Sequence, residues 1–351
     1  MCPPWLGELR RWPIGPDEPE TLASLGEFGL IKAVSAELAA NARTLVGIGD
    51  DAAVLAAPDG RVVATTDFLL EGRHFRRDWS SAADVGHKAA ARSLADCAAM
   101  GAEPSALLVA FAGPPDLPVS WARELNEGLA AESARTGASI IGGDTARFDV
   151  VLLAVTGLGD LGGRAPVLRS GTRPGDLVAV TGPLGHAAAG LALLMAGRPD
   201  HPLVSAQLRP TPPYDAGPEA AALGATAMID TSDGLLADLG HIADASGVQL
   251  RLASAGLAPH SELLTAASEI SERTPSMSRP DTPASPADVA RDWVLTGGED
   301  HALVATFPPG TALPPRWRII GEAGPGRGVV VDGQPRTSRP GWDHFASACG
   351  D

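Results

Sequence analysis

The stretch V-G-I-G-D-D-A-A-V-L (46–55), the turn Pro58-Asp59-Gly60 and the run R-V-V-A-T-T-D-F-L-L-E-G-R-H-F (61–75) decide the fold. Two short apolar runs end in acids, at Asp50-Asp51 and at Asp67, with a hairpin-like turn between them. An apolar strand that enters Gly and then Asp delivers a carboxylate to a strand end through a tight turn without a side chain. One such turn is ordinary surface chemistry. Here the device recurs as I-I-G-G-D-T (140–145), M-I-D-T-S-D-G (228–234) and L-T-G-G-E-D (295–300), and recurrence favours a site over unrelated loops.

The surrounding composition is that of a soluble globular protein. A chain of 351 residues, 44% hydrophobic and 20% charged, is long enough for two domains with sizeable cores. The sequence has no run of 18 apolar residues that would span a membrane. Its N-terminus has neither a continuous apolar core nor a small-residue cleavage site, so a cytoplasmic protein without a signal peptide is expected. Three widely spaced cysteines (Cys2, Cys97, Cys349) argue for a reducing compartment and against a disulfide framework or a zinc site built on cysteine. A formal charge of −15 disfavours nucleic acid as the main partner. Such a surplus serves solubility in general; at strand ends it can also be neutralised by bound cations.

Taken in order, residues 1–24 read as an extension without periodicity. Helices are predicted over 25–40, 82–100 and 119–136, and strands near 44–48, 61–67, 107–112, 138–142 and 150–158. On the second of these helices Lys88, Arg92 and Asp96 share one face at i, i+4, i+8. A Gly/Arg/Pro-rich stretch (159–175) marks a boundary between domains at 25–160 and 165–351. The second domain reads as strands at 177–181, 225–229, 248–252, 293–296, 301–307, 317–321 and 328–332, with helices at 187–195, 217–223 and 234–246. The Ser/Pro/Thr-rich residues 267–288 read as a surface insertion. Strand and helix mix irregularly in both halves, so the fold class is α+β (mixed α/β).

Each motif has a bland reading beside its chemical one. Asp after Gly is common in turns, and Asp230, Ser232 and Asp233 could simply cap the helix that starts at Gly234. If Asp50, Asp51, Asp67, Asp96, Asp144, Asp230 and Asp233 converge, however, they cannot all stay ionised without cations. Oxygen ligands without a His or Cys cluster select hard ions, and Mg2+ commonly joins carboxylates to phosphate oxygens. A P-loop is excluded because neither lysine (Lys32, Lys88) follows a glycine, and the protein-kinase motifs H-R-D and D-F-G are missing. Gly182-Pro183-Leu184-Gly185 is either a strand-to-helix turn or a phosphate cradle. Arg169 is either a phosphate-facing cation or a linker arginine. His74 acquires a functional reading only through nearby Asp67.

The set G-E-F-G-L-I (26–31), G-I-G-D-D, T-T-D, G-R-H-F, S-L-A-D-C-A-A-M-G-A (93–102), I-G-G-D-T, R-S-G, I-D-T-S-D-G-L, T-G-G-E-D and G-W-D-H-F (341–345) resembles the thiamine-monophosphate kinase family. That family shares its superfamily with aminoimidazole ribonucleotide synthetase and selenophosphate synthetase. The resemblance covers about residues 25–345. It implies an N-terminal domain whose strands pair across a homodimer, a C-terminal α/β domain, and an active site between them. It implies ATP as co-substrate, several Mg2+ ions and thiamine monophosphate as phosphoryl acceptor. Carried over residue by residue, the metal ligands fall on Asp51, Thr65, Thr66, Asp67, Asp96, Asp144, Asp230 and Asp233. Nucleotide contacts fall on Gly143, Asp144, Arg169 and Ser232, and substrate contacts on His74, Glu299 and Trp342. No general base is implied. Two alternatives stand beside this reading: another ATP-using enzyme of the superfamily, which for selenophosphate synthesis needs a reactive cysteine, and a non-catalytic nucleotide or thiamine-phosphate sensor.

Overall fold

The computed structural model describes residues 20–36, 38–48, 52–271 and 285–335, without the side chains of Glu27 and Phe28. Helix α1 (Leu22–Ser35) starts at a capping box in which Thr21 and Ser24 satisfy each other's backbone N–H groups, and it kinks at Gly26. Strands β1 (Thr44–Val46) and β2 (Val54–Leu55) pair only with each other. The turn at 58–60 therefore joins two different sheets and is not the tip of a hairpin. Beyond it come β3 (Val63–Leu70), α2 (Ala82–Ala99), β4 (Glu103–Gly113), α3 (Val119–Ala134), β5 (Ser139–Arg147) and β6 (Leu152–Asp160). They build a four-stranded sheet of order β3-β6-β4-β5 in which only β4 and β5 run parallel.

Helix α2 covers one face of this sheet. Its sequence is unusually rich in alanine, and Ala89, Ala90, Leu94, Ala95 and Ala98 are all buried. Small side chains let the helix lie close to the strands, so polar groups on β3 meet polar groups on α2 directly. Alternation along β3 then sorts the motif: Thr65, Asp67 and Leu69 point to α2, while Thr66 and Phe68 point to the other face. That second face is left open within the chain, with Phe68 59% exposed.

The second half contributes β7 (Leu177–Thr181), α4 (His186–Met195), α5 (Val204–Leu208), α6 (Ala216–Ala222), β8 (Ala227–Asp230), α7 (Leu235–Ser246) and β9 (Gln249–Leu252). After a 3-10 turn at Ser254–Leu257 follow α8 (Ser261–Ser271), α9 (Pro286–Thr296), β10 (Leu303–Phe307), β11 (Arg318–Gly324), β12 (Gly328–Val331) and β13 (Gln334–Pro335). The seven strands order as β13-β12-β9-β11-β7-β10-β8. Period-2 alternation splits their side chains between two cores. Val178, Val180, Ile229 and Val304 pack with leucines of α4, α7, α8 and α9. Ala179, Met228, Leu303, Ala305 and Phe307 join the core that contains α2 and the four-stranded sheet. One continuous apolar core thus runs from the first sheet to the second, and the end of β8 comes to rest beside α2.

Two further expectations are corrected. The strand predicted at 293–296 is the last turn of α9, which begins at a Ser285/Asp288 capping box with Pro286 in its first turn. Both ends of the stretch read as an insertion are helical, because residues 267–271 end α8 and 286–288 begin α9; residues 272–284 lie outside the described residues. No described helix is long and apolar enough to cross a membrane.

Candidate active site

Where α2 meets the end of β8, three acids from distant parts of the sequence face one another. Asp96 accepts a hydrogen bond from the Thr65 hydroxyl at 2.6 Å. Asp67 accepts one from Ser93 at 2.9 Å. Asp230 closes the group from the second sheet and is held at 2.9 Å by His301 Nδ1. Burial together with the charges of Asp230 and Asp67 pushes the Asp96 carboxyl up to about 7. Just behind, Asp238 is pushed up to about 8 by burial and by Asp230 and Asp233. Arg92 and His301 only partly offset carboxylates crowded in this way, and their oxygen-only donor set fits a hard divalent cation such as Mg2+.

A second layer of charge lies alongside. Glu299 is reached from α2 by Arg92 at 2.6 Å and by Lys88 at 2.9 Å. Burial opposes its ionisation, but the two cations prevail and hold Glu299 well below the usual carboxylate range. Burial likewise disfavours a charged His301, yet its hydrogen bond to Asp230 carries its pKa above the ordinary value.

The turn that carries Glu299 is strained. Glu299 and His301 both take positive φ, at 69° and 50°, which for non-glycine residues costs about 1–3 kcal/mol each. Asp300 between them anchors the turn, because its carboxylate accepts the backbone N–H groups of Gly185 and Ala187. Of the Gly182–Gly185 turn, the Gly185 N–H is therefore taken by Asp300 and is not offered to a phosphate. Gly298 is required in the same turn, since a Cβ there would lie 2.5 Å from the Ser232 carbonyl oxygen.

The remaining expected residues are placed as follows. Ser232 accepts the Glu299 N–H at 2.8 Å, so it supports the turn through its backbone. At the start of α7, Asp238 accepts the N–H groups of Asp233 and Gly234. His74 Nδ1 accepts from the Leu70 N–H at 3.0 Å, and the ring lines a cavity of about 180 Å³ with Lys88, Trp79 and Gln207. Arg169 is exposed, next to Leu168, whose carbonyl pairs with Met228 of β8. Gly143 sits where a Cβ would approach the Val109 carbonyl oxygen to 1.9 Å.

Two of the expected metal ligands face elsewhere within the chain. Thr66 and Asp144 stand on the open face of the sheet, in register with Thr156 and Ala110 respectively. Asp144 is also three strands from β3, about 14 Å at the usual strand spacing. A single chain therefore joins Thr65, Asp67, Asp96, Asp230 and, through Asp238, Asp233, but leaves Asp144 and the Thr66 hydroxyl apart. Asp51 and Trp342 lie outside the described residues.

Residues 49–161 match the family profile described as AIR synthase related protein, N-terminal domain, and residues 173–279 match its C-terminal domain. A thiamine-monophosphate kinase of Mycobacterium tuberculosis is 46% identical over 331 residues, covering 93% of this chain and 94% of that protein. The chain belongs to the thiamine-monophosphate kinase family. The Escherichia coli K12 member is 35% identical, covering 92% of this chain and 99% of its own length. Among solved structures, the family member from Stenotrophomonas maltophilia K279a superposes with a TM-score of 0.72 at 33% identity, over 87% of this chain and 95% of that one. A structure described as AaThiL complexed with AMPPCP and TMP gives 0.72 at 32% identity, over 93% and 99%. The hydrogenase maturation protein HypE, at 16% identity and a TM-score of 0.63, shares the fold.

Membership gives the charged layer its setting and narrows the alternatives. The buried Cys97 thiol is pushed up to about 12 by burial and by Asp96 and Asp67, and Cys2, the candidate for the reactive cysteine of selenophosphate synthesis, lies outside the described residues. The sequence had put Lys88, Arg92 and Asp96 on one helical face, and all three do turn to the site. It did not single out Asp238, Asp300 or His301. For the last two of these the signal was present in the unbroken G-G-E-D-H run, in which Asp300 anchors the turn on the Gly185 and Ala187 N–H groups and His301 holds Asp230.

Proposed function

We propose that this chain transfers the γ-phosphoryl group of ATP to thiamine monophosphate, giving thiamine diphosphate and ADP, with Mg2+ bound at the carboxylate cluster. The observation that carries the reading is the convergence of Asp67, Asp96 and Asp230, which crowds Asp96 up to about 7, in a member of this kinase family. A relative's complex with AMPPCP, an ATP analogue, and TMP supports both ligands for this chain.

In the reaction an oxygen of the acceptor phosphate attacks the γ-phosphorus in line as the bond to the β-phosphate oxygen breaks. Bound Mg2+ would neutralise the charge that the phosphate groups bring together. Thr65, Asp67, Asp96, Asp230 and Asp233 would hold the metal, with Asp51 and the backbone of Thr66 as further ligands. Arg92 and Lys88 keep Glu299 ionised, so that it can oppose the cationic thiazolium or accept from the pyrimidine amino group. Ser232 and Gly298 fix the height of that turn. His74 and Trp342 complete the acceptor pocket, and Gly143, Asp144 and Arg169 serve the nucleotide. Positioning and charge neutralisation suffice for such a transfer, and a general base has no necessary part.

The open sheet face gives the reading its quaternary form. Thr66, Phe68, Ala110 and Asp144 are exposed on it, and an uncovered sheet face that carries a large apolar side chain such as Phe68 calls for a partner. A second copy of the chain, laid face to face in a homodimer, would cover it and bring Asp144 and Thr66 into an interface. The function is tested by incubating the purified protein with ATP, Mg2+ and thiamine monophosphate and separating the products by chromatography. Thiamine diphosphate is expected, and its absence with a folded protein and fresh substrates contradicts the proposal.

A further inference from the structure

Away from the carboxylate cluster, two histidines and a glutamate meet where α4 and α8 begin. His186 is the first residue of α4, His260 immediately precedes α8, and Glu262 lies in the first turn of α8. His186 Nε2 is 3.4 Å from Glu262 Oε1, and His260 Nδ1 is 4.0 Å from the same oxygen. The two rings stand edge to face, 5.6 Å apart at 82°. One donor atom from each residue lies within 4.8 Å of the other two.

These distances are close to those of a metal site. Nitrogen and oxygen ligands at about 2.0–2.1 Å from a tetrahedral Zn2+ stand about 3.3–3.5 Å from one another. The His186–Glu262 edge already has that length. The other edges need only small rotations of His260 and Glu262, whose side chains are 54% and 53% exposed and free to move.

His186 supplies the fixed corner. Its side chain is 15% exposed, and its Nε2 is fully buried without a hydrogen-bond partner. A buried polar atom left unmatched is costly, and a metal ion in the direction of Glu262 would satisfy it. The backbone beneath is held by Asp300, which accepts from the N–H groups of Gly185 and Ala187 on either side. At their far ends the same two helices are tied by an ion pair between Arg198 and Glu269 at 2.8 Å. At the near ends the tie is the longer 3.4 Å contact between His186 and Glu262, which an ion held by the cluster would strengthen.

We infer that His186, His260 and Glu262 bind one Zn2+, with water in the fourth position, and clip the start of α8 to the start of α4. Two imidazoles and one carboxylate select a borderline ion such as Zn2+, whereas the oxygen-only cluster between the sheets selects Mg2+. The two sites share no side chain.

The test uses the full chain, stripped with a chelator and titrated with Zn2+ alone in the presence of millimolar Mg2+, with calorimetry and thermal melting as readouts. One equivalent of Zn2+ should bind and raise the melting temperature. His186→Ala, His260→Ala and Glu262→Gln should each weaken that binding at least about tenfold. Co2+ in place of Zn2+ should give the strong visible absorption of a four-coordinate nitrogen site in the wild type and lose it in His260→Ala. The exposed His260 and Glu262 guard against misfolding, since their variants should keep the metal-free melting temperature. Absence of Zn2+ binding at one equivalent overturns the inference, and so does equal affinity in the His260→Ala and Glu262→Gln variants.

Discussion

Arg92 of α2 donates to Glu299 at 2.6 Å across 207 residues of sequence, and its other terminal nitrogen lies 3.8 Å from Asp67. One guanidinium thus links the first sheet, the second sheet and the strained turn between them. Burial opposes its charge, but Glu299, Asp67, Asp230 and Asp96 together raise its pKa. Its removal should strand Glu299 with Lys88 alone and leave the three acids less compensated. Arg92→Ala is expected to cost about 2–4 kcal/mol of stability, somewhat less than a fully buried pair, and to lower turnover. Denaturant melts and initial rates check both; an Arg92→Ala protein of unaltered stability would show that the contact is idle.

The acids should respond in opposite directions to neutralisation. Asp96 is crowded by like charge, so Asp96→Asn should raise the melting temperature of the metal-free protein while abolishing most activity. Asp230 is held by His301, so Asp230→Asn should lower both. Thermal melting in a chelator, run beside the activity assay, separates these outcomes.

The pH dependence of metal-free stability has a definite sign. Asp96, Asp238 and Asp300 are raised to about 7, 8 and 7, and His301 is also raised. Between the ordinary carboxylate pKa and these values the folded chain binds more protons than the unfolded one, so stability falls as pH rises. Glu299 acts in the opposite sense, but its contribution is complete above its unfolded pKa. The melting temperature should therefore drop from pH 5 to pH 8 in a chelator. Mg2+ with ATP should restore most of the loss at pH 8, by binding the native state. A melting temperature that rises across this range would contradict the crowding of the acids.

Much of this site could be read from sequence, and the limits have physical causes. Alanine-rich periodicity fixed α2, and the i, i+4, i+8 spacing placed Lys88, Arg92 and Asp96 on one face. The D-W-V-L-T run of α9 carries Trp293, Val294 and Thr296, which favour strands locally, and its cap lay inside a Ser/Pro-rich stretch that looked structureless. The separation of Asp144 from Asp67 depends on strand order and register, which a motif list does not encode. The partners of Glu299 lie more than 200 residues away on α2, a pairing that no local pattern announces.

Glycine at 298 is a steric requirement that mutation can test. Gly298→Ala would place a methyl group 2.5 Å from the Ser232 carbonyl oxygen and push Glu299 away from Lys88 and Arg92. A loss of about 1–3 kcal/mol is expected. The Michaelis constant for thiamine monophosphate should rise more than that for ATP. Equal changes in the two constants would place Glu299 outside the acceptor pocket.

The open sheet face predicts an assembly. Phe68→Asp should shift the sedimentation of the protein from dimer to monomer, because a charge would then stand in the face that a second copy covers. Wild-type protein that sediments as a monomer at micromolar concentration would remove the homodimer from the account.

The most direct measurement follows phosphorus through the reaction. In 31P NMR spectra of the wild-type protein with ATP, Mg2+ and thiamine monophosphate, thiamine diphosphate and ADP should appear in equal amounts. Neither should accumulate in a chelator or with Asp96→Asn. ADP formed with orthophosphate and no thiamine diphosphate, or an undiminished rate in Asp96→Asn, would contradict the account.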